Sequence, residues 1–97
     1  VPAIASGNTH VYAQYSIRTT RRDELAAHLS ENGVPTAIHY PVPLHRQEAF
    51  AHLGYGEDDF SVSSAVSREI LSLPMSAFLS REDQDEVIRQ VRRFFGK

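Results

Sequence analysis

The sequence predicts an α+β domain: a small, mostly antiparallel three-stranded sheet with helices covering one face. Three observations predict it. The run His10 to Arg18 alternates with period two, the C-terminal stretch carries apolar residues at helical spacing, and two shorter segments with strand character lie between them. With 97 residues there is room for one domain around one modest core.

Each element has a local cause. In the first segment Val11, Ala13, Tyr15 and Ile17 fall on one side, and His10, Tyr12, Gln14, Ser16 and Arg18 on the other. Alternation of this kind, with β-branched and aromatic residues, marks a half-buried strand whose polar face meets solvent or another domain. Thr20 followed by Asp23 has the form of a helix N-cap, Leu25, Ala26 and Leu29 supply a helical stripe, and Asn32-Gly33 supplies a left-handed stop. Val34 to Tyr40 carries Thr36 and Ile38 and predicts a second strand, which Pro35 confines to a sheet edge.

Pro41-Val42-Pro43 then fixes two φ angles and keeps Tyr40 and Val42 extended. A short helix is expected over Arg46 to Leu53, with Ala49, Phe50 and Leu53 inward and Gly54 as its stop. Acidic Glu57-Asp58-Asp59 makes a turn that favours a helix N-terminus, and Val62, Ala65, Val66, Glu69 and Ile70 have helical spacing. A short third strand over Leu71 to Met75 is stopped at Pro74. Finally, Ser80 and Asp83 predict a capped helix on which Val87, Ile88, Val91, Phe94 and Phe95 form the apolar stripe.

Composition narrows the function classes. Charged residues are 23% of the chain, its formal net charge is -2, and the arginines are scattered, so no basic footprint for nucleic acid exists. No apolar run approaches the roughly 20 residues that span a bilayer. Cysteine is absent, which removes disulfides, thiolate nucleophiles and cysteine zinc sites, and fits a cytoplasmic protein. His10, His39, His45 and His52 do not have the spacing of a metal motif, and Glu57-Asp58-Asp59 lacks the alternating ligands of a calcium loop. No metal site is expected.

The chemistry-bearing stretch is Ile38-His39-Tyr40-Pro41-Val42-Pro43-Leu44-His45. A proline-braced backbone presents two imidazoles and a phenol at a strand end, lowering the entropy lost when a ligand is held. Imidazole can hydrogen-bond phosphate, hydroxyl or carboxylate groups, and tyrosine adds a stacking face with a polar tip. On the residues alone, a purely structural role for His39 and Tyr40 stands equally.

This stretch, followed by Ala49-Phe50, Leu53-Gly54-Tyr55, Asp59-Phe60 and Leu71-Ser72-Leu73-Pro74-Met75, resembles the C-terminal region of the DegT/DnrJ/EryC1/StrS sugar aminotransferases, fold-type I pyridoxal-phosphate enzymes. His10-Val11-Tyr12, Gln14-Tyr15 and the run Glu82 to Phe95 are similar to that family's pattern too, so the resemblance covers about His10 to Phe95. It implies an aminotransferase small domain over 10–97, with 1–9 as a linker or frayed terminus. In the parent enzyme an amino group passes, from glutamate, to the ketone of a nucleotide-linked sugar for surface-polysaccharide or related sugar biosynthesis. The implied partners are an N-terminal pyridoxal-phosphate domain of the same chain and a second subunit of a homodimer.

By the same resemblance, His39 and Tyr40 reach the substrate cleft, and His45 is a weaker substrate-binding candidate. Two departures stand out: Phe60-Ser61-Val62 where relatives have Phe-Pro, with Ser61 expected as an N-cap, and Ala13 where a polar or aromatic residue is common.

Independently of any family, transamination through pyridoxal phosphate needs a lysine amine, and Lys97, beside Gly96 at the C-terminus, is the only lysine. No Gly-rich phosphate loop leads a helix. The chain by itself is therefore expected to hold no catalytic or cofactor-binding residue and to be inactive. The alternative is a free-standing α+β binding or interaction module.

Overall fold

The computed structural model describes residues 3–97. Along the chain it runs β1 (Tyr15–Arg18), α1 (Arg22–Glu31), two short 3₁₀ segments (Leu44–Arg46 and Glu48–Leu53), α2 (Ser61–Glu69), β2 (Ile70–Leu73) and α3 (Arg81–Phe94). The sheet has two strands, not the expected three. β1 and β2 pair antiparallel, with Tyr15 opposite Leu73, Ser16 opposite Ser72 and Ile17 opposite Leu71.

The missing strand has a simple cause. Ala37 exchanges both backbone hydrogen bonds with Ser72, at 3.1 and 2.7 Å, as a single antiparallel bridge on the free edge of β2. An antiparallel ladder would next exchange bonds between residues 35 and 74 on one side and 39 and 70 on the other. Residues 35 and 74 are both prolines and cannot donate, and Ile70 already gives its N–H to Val66 O and its carbonyl to Arg22. The segment is held at the edge, as Pro35 required, but by one bridge.

β1 is also shorter than the alternation predicts. Tyr12 has φ 47, and its N–H donates to His10 Nδ1 at 2.8 Å, so the chain turns before Gln14 and Val11 is exposed. Within Tyr15–Arg18 the two faces separate as expected. Tyr15 and Ile17 share a face with Leu71 and Leu73, and Ser16 shares the other with Ser72.

Helix α1 starts without the expected Thr20 cap; its N-cap is Arg21, with no side-chain cap bond. The ladder persists to Thr19, whose N–H donates to Glu69 O at 3.0 Å, so extended chain reaches one residue too far for Thr20 to cap. Thr19 Oγ1 instead accepts the Arg21 N–H. At the other end the glycine stop forms as read. Gly33 has φ 75, its N–H donates to Ser30 O, and the Val34 N–H donates to Leu29 O at 2.8 Å. This pair of bonds is the Schellman closure, and its usual apolar contact is present because Val34 and Leu29 both join the core.

Leu25, Leu29, Val34 and Leu71 are the buried core, flanked by Ile17, Ile38, Leu73, Val87, Val91 and Phe94. α3 therefore contributes its stripe through Val87, Val91 and Phe94, while Ile88 and Phe95 stay exposed at its margin. Ser80 caps α3 as the sequence indicates: its Oγ accepts the Asp83 N–H at 3.0 Å. Two arginines tie the layers. Arg21 places its guanidinium 4.3 Å from the Phe94 ring centre, and Arg22 donates to the carbonyls of Ser67 and Ile70 at the α2–β2 joint.

Two further expectations change. The predicted helix over Arg46–Leu53 is two 3₁₀ pieces, divided by extended Gln47, and only Phe50 of its inward residues is half-buried; Ala49 and Leu53 are exposed. Six residues with no core surface to cover gain little from an α-helix, and i to i+3 spacing instead lines Phe50 up with Leu53. In α2 the N-cap is Phe60, not Ser61, which occupies the first helical turn. Val62 is 73% exposed, whereas Ser64 and Ser67 are buried. Their hydroxyls donate to Glu57 O and Ser64 O at 2.9 Å, so polar side chains take the inward places without orphaned donors.

The domain is lean. Its Cα radius of gyration is 15.9 Å, against about 13 Å for a compact chain of this size. Large apolar side chains lie open along it, Phe78 at 96%. With so few residues fully buried, Leu29→Ala should cost about 2–5 kcal/mol. The measurement is the urea midpoint; Val62→Ala, at an exposed site, should move it by less than about 0.5 kcal/mol. Ser80→Ala should cost about 1 kcal/mol, seen as earlier fraying of α3 in amide hydrogen exchange.

Candidate functional site

After its bridge at Ala37 the chain leaves β2 and enters the proline-braced stretch. His39 is half-buried and Tyr40 is 69% exposed, their rings edge to face with centres 5.6 Å apart; the peptide bond between them is cis. Pro41 follows directly, and Pro43 holds φ -65 and ψ 152 before the first 3₁₀ segment. Between this stretch and α2 lies an open groove of about 470 Å³, walled by His39, Tyr40, Val42 and Leu44 on one side and by Val66 and Ile70 on the other. A second hollow of about 280 Å³, bordered by Gln14, Thr36, Ser72 and Met75, lies on the far side of His39. His39 forms the ridge between the two.

The His39 ring is tied to the polar face of the sheet. Its Nδ1 lies 3.2 Å from Ser72 Oγ, which lies 2.9 Å from Ser16 Oγ. Ser72 gives both backbone groups to Ala37, so it and Ser16 form a non-hydrogen-bonded cross-strand pair, the kind whose side chains approach most closely. Register thus joins residues 56 positions apart into one polar row. Tyr40 has no such tie and points its ring outward.

His45 occupies a different place. It lines an apolar hollow of about 310 Å³ with Leu44, Phe50, Leu53, Tyr55 and Phe60, its ring centre 4.9 Å from that of Phe60. Its Nε2 approaches Ser64 Oγ at 3.4 Å. A hydroxyl has one proton, and Ser64 gives it to Glu57 O, so Ser64 accepts from His45 Nε2–H. The structure brings His39 and Tyr40 together at one groove and sets His45 in the neighbouring hollow.

The other polar candidates go to local work. His10 stacks on Tyr12, Glu57 pairs with Arg68 at 2.7 Å, and Asp59 Oδ2 accepts the Gly56 N–H. Among the described residues, no three of His, Cys, Asp or Glu gather as a metal ion would need, and no helix is long and apolar enough to cross a membrane. Sequence reasoning missed Ser16, Ser64 and Ser72 as site residues. Only Ser72 carried a signal, as a lone hydroxyl between two leucines of an apolar strand.

The described residues do not fit a resident pyridoxal phosphate. Lys97 is exposed at the end of α3, beside Arg92 and Arg93 and away from the groove that His39 and Tyr40 line. The residues ahead of the three helices are Arg21, Phe60 and Ser80, with no glycine cradle among them.

Comparison with known proteins gives a consistent result. The profile of the DegT/DnrJ/EryC1/StrS aminotransferase family matches residues 1–92. Over 94 residues the chain is 43% identical to a pleiotropic regulatory protein of Geobacillus stearothermophilus, a match that covers 97% of this chain and 25% of that one. It is 39% identical over 93 residues to a dTDP-3-amino-3,4,6-trideoxy-alpha-D-glucose transaminase of Micromonospora megalomicea subsp. nigra, covering 95% of this chain and 25% of the relative. Among solved structures, DesV of S. venezuelae, in complex with a ketimine intermediate, superposes with a TM-score of 0.92 at 35% identity, covering 99% of this chain and 26% of that one. The chain spans about a quarter of the length of these relatives. Matched in sequence over nearly its whole length and in fold throughout, it belongs to the DegT/DnrJ/EryC1/StrS aminotransferase family.

Proposed function

We propose that this chain is the C-terminal small domain, residues 10–97, of a cytoplasmic, homodimeric nucleotide-sugar aminotransferase, with residues 1–9 as the entering linker. The parent enzyme transfers an amino group from glutamate to a keto-sugar in surface-polysaccharide or related sugar biosynthesis. Pyridoxal phosphate and its lysine belong to a larger domain that packs against this one. His39 and Tyr40 contact the nucleotide-sugar, and His45 supports the adjoining wall.

The observation that carries this reading is the exposure of Tyr40 beside half-buried His39 at the lip of an open groove, on backbone held by Pro41 and Pro43. A phenol serving only the fold would be covered by the domain's own core. Instead the core ends at Ile38, and the next two side chains turn to a groove. Exposed Leu44, Leu53, Tyr55 and Phe60 extend the apolar surface around it. Such a surface suits a domain that closes on further polypeptide better than one that works alone. The dTDP-sugar in a relative's name supports a nucleotide-sugar as the ligand class.

This chain's own contribution is binding and closure. A rigid imidazole and phenol orient the sugar and exclude water at the rim, and they share no bond with the reacting amine. Replacing His39 and Tyr40 together by alanine in the full-length enzyme should raise KM for the keto-sugar nucleotide about tenfold or more, the scale of two lost polar contacts. The half-reaction with glutamate should stay within about twofold, since no substrate contact is removed there. Unchanged sugar KM and kcat would refute the assignment. The 97-residue chain mixed with pyridoxal phosphate should not develop the saturable absorption band of a lysine-bound cofactor.

A further inference from the structure

Ser72 is nearly buried, yet its hydroxyl sits at the centre of a three-membered chain: Ser16 Oγ, Ser72 Oγ and His39 Nδ1, with separations of 2.9 and 3.2 Å. Packing alone would not favour a hydroxyl here, since burying one without hydrogen-bond partners is unfavourable. The chain can run in two directions. In one, Ser16 donates to Ser72, Ser72 donates to Nδ1, and a neutral His39 carries its proton on Nε2. In the other, Nδ1–H donates to Ser72 and Ser72 donates to Ser16, leaving Nε2 an acceptor.

Ser16 Oγ has Ser72 Oγ as its hydrogen-bond partner among the described residues. The first direction gives both hydroxyl protons an acceptor within the protein, whereas in the second the proton of half-buried Ser16 turns to water. His39 Nε2 is not among the buried unpartnered atoms and makes no hydrogen bond within the described residues, so it opens to solvent on the ridge between the two hollows.

We propose that Ser72, backed by Ser16, is a positioning residue that locks neutral His39 in the Nε2–H form, so that the imidazole meets its ligand as a hydrogen-bond donor. The group it recognises is an acceptor oxygen, a phosphate or keto-sugar oxygen of the nucleotide-sugar; this last step rests on the function proposed above. A fixed donor discriminates against a ligand that offers only a donor at that point, because two facing donors leave both unpaired.

The test reads the tautomer directly. In the 97-residue chain with ¹⁵N-labelled histidine, at a pH where His39 is neutral, wild type should show a protonated Nε2 and an unprotonated Nδ1. Ser72→Ala should lose that fixed pattern and give shifts averaged between the two forms, with the backbone amide spectrum otherwise retained. Ser16→Ala, a milder change at a half-buried site, should move the His39 signals in the same direction by a smaller amount. Ser72→Thr, which restores a hydroxyl, should recover the wild-type pattern.

An Nδ1–H form in wild type, or an unchanged His39 signal in both Ser72→Ala and Ser16→Ala, would overturn the proposal. In the full-length enzyme Ser72→Ala should raise sugar KM roughly fivefold with kcat retained, the scale of one weakened hydrogen bond. If the tautomer responds and KM does not, the locking role stands and the assignment of His39 to the sugar site falls.

Discussion

Strand β2 is the constraint on which the rest of this small fold depends. Its four residues pair with β1 along one edge and with Ala37 along the other, so they sit between two neighbours although the sheet has only two strands. Leu71, buried on one face, anchors α1 and α3 through the shared apolar cluster. Ser72, the next residue, faces the opposite way by the period of the strand and holds His39. One residue step thus separates the core from the polar row that serves the groove. A register shift of one would exchange them, putting a hydroxyl in the core and a leucine under the imidazole.

The prolines around this strand do more than break structure. Pro35 and Pro74 stop the bridge at Ala37 from growing into a ladder on one side. On the other side Ile70 gives its N–H to Val66 O and its carbonyl to Arg22, so the chain leaves the sheet after Ile38 and carries His39 and Tyr40 away from it. Pro41 and Pro43 then stiffen what has been released. The site owes its release from the sheet to Ile70 backbone groups already committed elsewhere and its order to φ angles that are fixed. The fixed angles act in the unfolded chain as well as the folded one, since proline narrows the ensemble that must be ordered.

Family membership and the lean core support one physical picture. A domain that, among the described residues, buries only Leu25, Leu29, Val34 and Leu71 as its apolar core, while leaving Leu44, Tyr40 and Phe78 in the open, has apolar surface to give to other polypeptide. Its two candidate histidines are each tied to a serine hydroxyl, but the ties differ. Ser64 gives its proton to Glu57 O and accepts from His45, whereas in the proposed arrangement Ser16 donates to Ser72 and Ser72 donates to His39. The same pair of residue types can therefore present opposite faces of an imidazole, according to where the serine's own proton goes.

Much of this was legible in the residues themselves. The Ser80 cap, the Gly33 closure and the apolar stripe of α3 are local devices whose causes lie within a few positions, so sequence alone determined them. The His39–Tyr40 presentation was legible for the same reason, from the prolines that follow it. What sequence could not decide was non-local. Pro35 shows that a strand is weak, but only its alignment with Pro74, together with the Ile70 backbone groups taken by Val66 and Arg22, shows why a third strand fails to form. Alternation from His10 onward was real, yet the left-handed turn at Tyr12 ended the strand at Tyr15. Ser16 and Ser72 are ordinary polar residues 56 positions apart until antiparallel register sets their hydroxyls 2.9 Å from one another. A hydrogen bond between distant side chains is a property of register, and only the folded chain specifies it.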